Sequence, residues 1–253
     1  MELKTGKQKK DNKFGLIGKN ISYSFSQKYF SNKFKKEGLD NYIYLNFDIN
    51  SISQITNILK KNSSIKGLNV TIPYKESVIP FLDKLSNKAK NIGAVNTIRY
   101  TKKGELKGYN TDEYGFRNSL LPHLKAHHKK ALVLGTGGAS KAIAYALEKL
   151  HIEYSYVSRN KNTNYTYNTL TTEIIKEHHI IINCTPLGTF PEIEEYPNIP
   201  YDGISNEHLL YDLIYNPKET TFLKKGKKQG AQIINGIKML ELQAEKAWRI
   251  WNK

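Results

Sequence analysis

Apolar residues in this chain come in two kinds of short burst. Some run together or alternate over about four to eight residues, as strands do. Others recur every three or four positions, as one face of a helix does. KFGLIG (Lys13–Gly18), YIYLNFDI (Tyr42–Ile49) and IKGLNVTI (Ile65–Ile72) are strands by this test, rich in branched and aromatic side chains. Between them, Ser26–Gly38 puts Tyr29, Phe30 and Phe34 on one helical face and stops at a glycine. Ile52–Lys61 does the same with Ile52, Ile55, Ile58 and Leu59. Ser77–Ala89 reads as a helix interrupted near Pro80. AVNTIRY (Ala94–Tyr100) and GELKGYNT (Gly104–Thr111) bracket Lys102-Lys103 as a hairpin. Strand alternating with helix predicts a mostly parallel α/β sheet.

A second series follows. KKALVLG (Lys129–Gly135) and IEYSYVS (Ile152–Ser158) are strands, separated by a helix over Ala139–Leu150. HHIIINCT (His178–Thr185) has an unbroken apolar centre, as in a parallel strand covered on both faces. LLYDLIY (Leu209–Tyr215) and AQIING (Ala231–Gly236) continue the pattern, and Met239–Trp251 closes it as an amphipathic helix. The reading is α/β in two domains. Residues 1–112 plus 236–253 form a mostly parallel substrate-binding domain, and residues 113–235 form a Rossmann-like nucleotide domain. The chain passes between them twice, so ligand is expected in a cleft, at the carboxyl ends of strands.

Charge changes this picture little. The 253 residues carry a formal charge of +16, which by itself suggests nucleic acid. Yet arginine, the usual reader of bases, occurs only at 99, 117, 159 and 249, and the lysines are spread along the chain. No nucleic-acid partner is expected. No apolar run approaches the ~20 residues of a membrane span, and the basic start MELKTGKQKKDNK lacks the apolar stretch of a secretory signal, so it reads as a short disordered tail. The single cysteine, Cys184, fits a reducing cytoplasm and reads as a small buried hydrophobe. His123, His127 and His128 share a polar loop without further ligand partners, so no metal is expected.

The most informative local motif is Gly135-Thr136-Gly137-Gly138-Ala139-Ser140, which joins a strand to a helix. Gly135 permits the tight turn, and Gly137 lets the main chain approach a pyrophosphate. The helix start offers unpaired N–H groups and partial positive charge. An NAD site would place a carboxylate at the end of the next strand, for the ribose 2′-hydroxyl. This chain has Ser158-Arg159-Asn160-Lys161 there. Two cations and no acid suit a 2′-phosphate, so the cofactor expected is NADP.

With these residues in view, the chain resembles the shikimate dehydrogenase family from about Phe14 to Trp251. The resemblance is carried, in family order, by IGKNISYSFSQ, GLNVTIPYKE, GAVNTI, GYNTD, GTGGAS, NCTPLG, YDLIYNP and NGIKMLELQA. It implies NADPH-dependent reduction of 3-dehydroshikimate to shikimate, on the route to chorismate and the aromatic amino acids, by a monomer or homodimer. It implies that Lys75 and Asp112 are the catalytic pair. Ser24 and Ser26 would hold the substrate carboxylate, helped by Tyr215. Thr71, Asn96, Asp112 and Gln243 would bind the ring hydroxyls. Gly135, Thr136, Gly137, Gly138 and Ala139 would form the phosphate loop, and Ser158 and Arg159 the adenosine-phosphate clamp. Leu213, Gly236 and Met239 would line the nicotinamide. Ser158 departs from the family's usual Asn, and Lys161 lies where a second Arg is frequent. The rival reading is a quinate/shikimate dehydrogenase with broader substrate or NAD use, which favours an acid near Ser158 that is absent. A non-catalytic binding protein of the same fold would have no reason to keep Lys75, Asp112, Asn96 and Gln243 together.

The chemistry suits the residue types. Hydride addition to a ketone builds negative charge on oxygen, and an ammonium supplies both charge and proton there. Outside its motif, each residue has an ordinary reading. A lysine in so basic a chain is solvated, a Ser-x-Ser pair caps a helix, and Asn110-Thr111-Asp112 is a turn or cap.

Overall fold

In the computed structural model, residues 11–22 and 24–253 are described. The basic segment 1–10, expected as a tail, and Tyr23 of the IGKNISYSFSQ motif lie outside the described residues. By their internal contacts the residues divide into two units. One runs as far as Asn110 and includes 247–253; the other is 111–246.

In the first unit, strands β1 (Asn12–Gly18), β2 (Tyr42–Asp48) and β3 (Ile65–Val70) alternate with helices α1 (Phe25–Lys36) and α2 (Ile55–Lys61). β4 (Lys84–Leu85), α3 (Asn87–Ile92), β5 (Thr97–Tyr100) and β6 (Leu106–Tyr109) follow. The six-stranded sheet has the order β2-β1-β3-β5-β6-β4. β1 pairs in parallel with both β2 and β3. β5 and β6 form the expected antiparallel hairpin, Thr97 opposite Tyr109. Ile17, Leu68, Val70, Val78 and Ile98 are buried in its core. The expected Ser77–Ala89 helix does not form. Pro80 sits in the first positions of a single 3-10 turn (Ile79–Phe81), and Lys84-Leu85 leave to pair with β6. Helix starts afresh only where the Ser86 hydroxyl caps α3 by accepting from Ala89 N.

An aromatic cluster fills one side of this sheet. Phe14, Phe30, Phe34 and Tyr42 meet Trp248 and Trp251, with ring centroids 5.0 Å apart for Phe14–Trp251 and 5.4 Å for Phe34–Trp248. Each such ring buries roughly 150–250 Å². The Trp251 indole N–H donates to Ile98 O at 3.0 Å. Its ring lies flat on Gly67, where a β-carbon would stand 2.2 Å from it.

The second unit is a parallel sheet throughout. Its strands are β7 (Lys130–Leu134), β8 (Glu153–Ser158), β9 (Tyr165–Thr166), β10 (Ile180–Asn183), β11 (Leu209–Asp212) and β12 (Gln232–Ile234). They lie in the order β12-β11-β10-β7-β8-β9. Helices α4 (Asp112–Leu120), α5 (Gly138–Lys149), α6 (Thr172–Glu177) and α7 (Thr221–Lys228) belong to it. Leu132, Val133, Ile180, Ile181, Ile182 and Leu209 are all fully buried, as unbroken apolar strands covered on both faces must be. The last helix, α8 (Ile237–Trp251), belongs to this unit through Lys246 and to the first from Ala247.

The unit boundaries depart from the expected 112/113 and 235/236 divisions. Asp112 opens α4 in the second unit, and Gln243 lies there too. The physical reason is close packing of α4 on α8. Gly115 has no side chain, and a β-carbon there would stand 2.5 Å from Met239 O.

Candidate active site

In the first unit the predicted residues gather where β1 and β3 end. Asn20 N and Ile21 N both donate to the Asp48 carboxylate, which fixes the loop leaving β1. That loop delivers Ser24 to the start of α1, where its hydroxyl accepts from Ser26 N at 3.1 Å. Thr71 directly follows β3 and donates its N–H to Ile17 O of β1. The half-buried Lys75 lies in the turn beyond, where its carbonyl accepts from Val95 N at 2.7 Å. Asn96 is buried just before β5, and its carbonyl accepts from Val70 N.

A buried hydrogen-bond chain runs beneath these groups. The Tyr44 hydroxyl donates to Asn69 Oδ1 at 2.8 Å and is hydrogen-bonded to Ser26. Asn69 Nδ2 donates to Asn96 O and to Thr97 Oγ1, both at 3.2 Å. Thr97 Oγ1 in turn donates to Asn96 Oδ1 at 3.1 Å. Burial holds the Tyr44 phenol well above its usual range, so it stays a neutral donor. Ser26 and Asn96 are thereby locked to one framework. Sequence reasoning did not single out Tyr44 or Asn69. The only signal is a polar side chain at an inward position of a buried strand.

In the second unit Asp112 is buried in the first turn of α4. Thr111 Oγ1 donates to Gln243 Oε1 at 3.2 Å. Packing of α4 on α8 thus brings Asp112, Gln243 and Met239 into one neighbourhood. Lys75 and Asp112 fall in different units, as do Tyr215 and the Ser24–Ser26 pair.

The glycine turn has the shape expected of a phosphate loop. Gly135 adopts φ +100°, a left-handed conformation that side chains resist. A β-carbon on Gly137 would touch nothing within 4 Å, so the loop is open above it. Helices α1, α3, α6 and α7 have a side chain capping their first turn, whereas α2, α4 and α5, the last beginning at Gly138, have none. The first N–H groups of α5 are left for an anion, which is the arrangement a pyrophosphate needs. The residues present therefore fit the cofactor. At the end of β8, Arg159 and Lys161 are exposed, whereas Ser158 is buried. The Ser158 hydroxyl accepts from Asn160 N at 3.0 Å and so shapes the turn that presents Arg159.

Beside the loop stands a polar knot that the sequence reading left without a role. Asp212, fully buried at the end of β11, accepts from Asn183 Nδ2 (3.1 Å), Ile214 N (3.0 Å) and Thr220 Oγ1 (2.6 Å). Burial pushes its carboxyl up to about 6, against the opposing pull of those three bonds. The bond to Ile214 N ends the strand earlier than the LLYDLIY pattern predicts and turns the chain toward Leu213 and Tyr215. Leu213 N donates to Asn183 O at 3.1 Å, and Gly236 N to Ile214 O at 2.9 Å, so two predicted cofactor residues share this scaffold. Cys184, at the end of β10, is half-buried, and its main chain abuts Gly135. Among the described residues, no group of three or more His, Cys, Asp or Glu could hold a metal ion, and no helix is long and apolar enough to cross a membrane.

A parallel sheet whose central strand enters an uncapped helix through a glycine turn, with cations at the end of the neighbouring strand, defines a dinucleotide-binding protein. Comparison with known proteins narrows the class. A family model described as the shikimate dehydrogenase substrate binding domain matches residues 16–98. The chain is 38% identical over 257 residues to the shikimate dehydrogenase (NADP(+)) of Methanosphaera stadtmanae, covering 94% of this chain and 90% of that one. It superposes on the Aquifex aeolicus shikimate dehydrogenase with a TM-score of 0.85 and 35% identity, covering 96% and 92%. A shikimate dehydrogenase solved in complex with NADP+ gives 0.83 and 32%, covering 95% and 90%. The chain belongs to the NADP-dependent shikimate dehydrogenase family.

Proposed function

We propose that this protein reduces 3-dehydroshikimate to shikimate with NADPH, in either direction as concentrations dictate. The observation that carries this reading is the buried chain from Ser26 through Tyr44 and Asn69 to Asn96. It preorganises hydroxyl and amide groups where a small polar ring must be recognised, and preorganised polar groups orient a substrate without reorganisation at the moment of reaction.

When bound, NADPH supplies the hydride. The Lys75 ammonium gives its proton to the carbonyl oxygen as that oxygen gains charge, which leaves a neutral amine and a hydroxyl. Asp112 completes the catalytic pair and, with Thr71, Asn96 and Gln243, bonds the ring hydroxyls. Ser24 and Ser26 hold the carboxylate, assisted by the Tyr215 hydroxyl. Gly135, Thr136, Gly137, Gly138 and Ala139 take the pyrophosphate. Arg159, presented by the Ser158 turn and flanked by Lys161, takes the 2′-phosphate, and Leu213, Gly236 and Met239 border the nicotinamide. On this reading the protein works in the cytoplasm, as a monomer or homodimer, without nucleic acid. Support for the last point is the even spread of its lysines and its four arginines.

The deciding experiment follows absorbance of the reduced nicotinamide with shikimate or quinate against NADP+ or NAD+. Turnover should be fastest with shikimate and NADP+. Absence of turnover with all four pairings would sink the proposal, and preference for quinate with NAD+ would replace it with the broader paralogue.

A further inference from the structure

The first unit has a second cavity, at the opposite end of its sheet from Ser24, Thr71 and Lys75. It opens at the amino ends of β1 and β3, beside Asn12 and Ile65, and encloses about 740 Å³. That size lies within the range of about 300–1,000 Å³ typical of small-molecule sites. Lys60, Lys66, Arg99, Lys102 and Lys253 line it, and no Asp or Glu side chain is among the described residues that do. These residues come from five separate places: α2, β3, β5, the turn after β5 and the segment after α8. Its apolar wall includes Tyr100 and Trp251.

Two of these groups are held in place. Arg99 stands opposite Gly67 across the β3–β5 pair, and Trp251 lies over Gly67. The Arg99 guanidinium also donates to the main-chain oxygen of Lys253, two residues beyond Trp251. Arg99 and Trp251 thus share one face of the β3–β5 pair. An excess of positive charge around a partly aromatic wall favours an anion with an apolar face, and ammonium and guanidinium groups match carboxylate or phosphate oxygens. The volume is too large for inorganic phosphate alone.

We propose that this cavity is a second binding site, for a small organic anion that joins a flat ring to a phosphate or carboxylate group. It is independent of the redox reading, because none of its residues is assigned to substrate or cofactor.

Phenyl phosphate is a suitable probe, titrated into the full chain by calorimetry and tryptophan fluorescence, with inorganic phosphate and phenol as separate arms. One equivalent should bind and alter tryptophan emission, more tightly than either half-molecule, and saturating NADP+ should leave binding unchanged. The double variant Lys60→Gln/Lys102→Gln, both exposed, should weaken binding by about fivefold or more with an unaltered thermal midpoint. Lys66→Gln alone should act in the same direction. Absence of saturable binding below about 10 mM, equal binding of inorganic phosphate, competition by NADP+, or unchanged affinity in the double variant would each overturn the proposal.

Discussion

Lys75 is chemically identical to its many neighbours in sequence, and its surroundings set it apart. Its carbonyl is tied to Val95 N, and it lies in a turn at the carboxyl ends of β1 and β3. On the proposed mechanism, Lys75→Ala should lower kcat by about 10²–10⁴-fold while leaving shikimate binding near that of the parent; steady-state rates and calorimetry check this. Arg159→Ala should raise KM for NADP+ well above its effect on KM for NAD+, and equal changes would remove the 2′-phosphate role. Asp212 poses a different problem at this scale, being a buried carboxylate held by three donors. Thr220→Val removes one of them, together with the cap on α7 that accepts from Leu223 N. It should cost about 2 kcal/mol in a denaturant titration. Thr221→Val next to it loses only a surface bond to Ile193 O and should cost under about 1 kcal/mol.

At the scale of the element, what can be read locally was legible. The runs at 13–18, 42–48 and 65–70 became strands because their apolar pattern is continuous. The hairpin was legible from its turn. What failed depends on partners distant in sequence. β9 is only two residues long and exists because Val157 and Ser158 of β8 pair with it. Helix α7 was hidden by Gly226 and its lysines, although Phe222 and Leu223 anchor it in the core. Helix α4 was hidden because Asn110-Thr111-Asp112 looks like a turn until α8 packs on it. The same holds for the site. Its glycine turn stood out, whereas the Tyr44–Asn69 connection could not, since it joins residues 25 positions apart. Packing of Trp251 on Gly67 gives this scale its prediction. Gly67→Ala should cost about 2 kcal/mol or more and blue- or red-shift tryptophan emission, because the indole must leave the strand. An unchanged melting temperature would contradict that contact.

At the scale of the whole molecule, charge and proton uptake matter. Five of the seven histidines, His127, His128, His178, His179 and His208, precede the strands β7, β10 and β11. Ring centroids are 4.4 Å apart for His127–His128, 5.2 Å for His127–His179 and 5.3 Å for His179–His208. Glu207, Glu177, Lys125 and Lys130 face them, and burial depresses His128, His178 and His208 below the usual imidazole range. The unfolded chain therefore takes up these protons first. Their contribution to stability is full above about pH 6.5 and is lost as pH falls. Asp212 works in the opposite sense. Its carboxyl is raised in the folded state, so its contribution is full at low pH and lost as pH rises toward about 6. Urea midpoints between pH 5 and 7.5 should fall on acidification. His208→Gln should flatten that fall, and Asp212→Asn, which removes the opposing titration, should steepen it.

Residues 111–246 form one uninterrupted unit, whereas the first unit needs 247–253, with Trp251 seated on Gly67. The order of synthesis therefore inverts the order of completion. Residues up to 110 are made before 247–253, on which they pack, whereas 111–246 hold every residue of their own unit. Until 247–253 are made, Phe14, Phe30 and Phe34 lack their tryptophan partners and leave apolar ring faces uncovered.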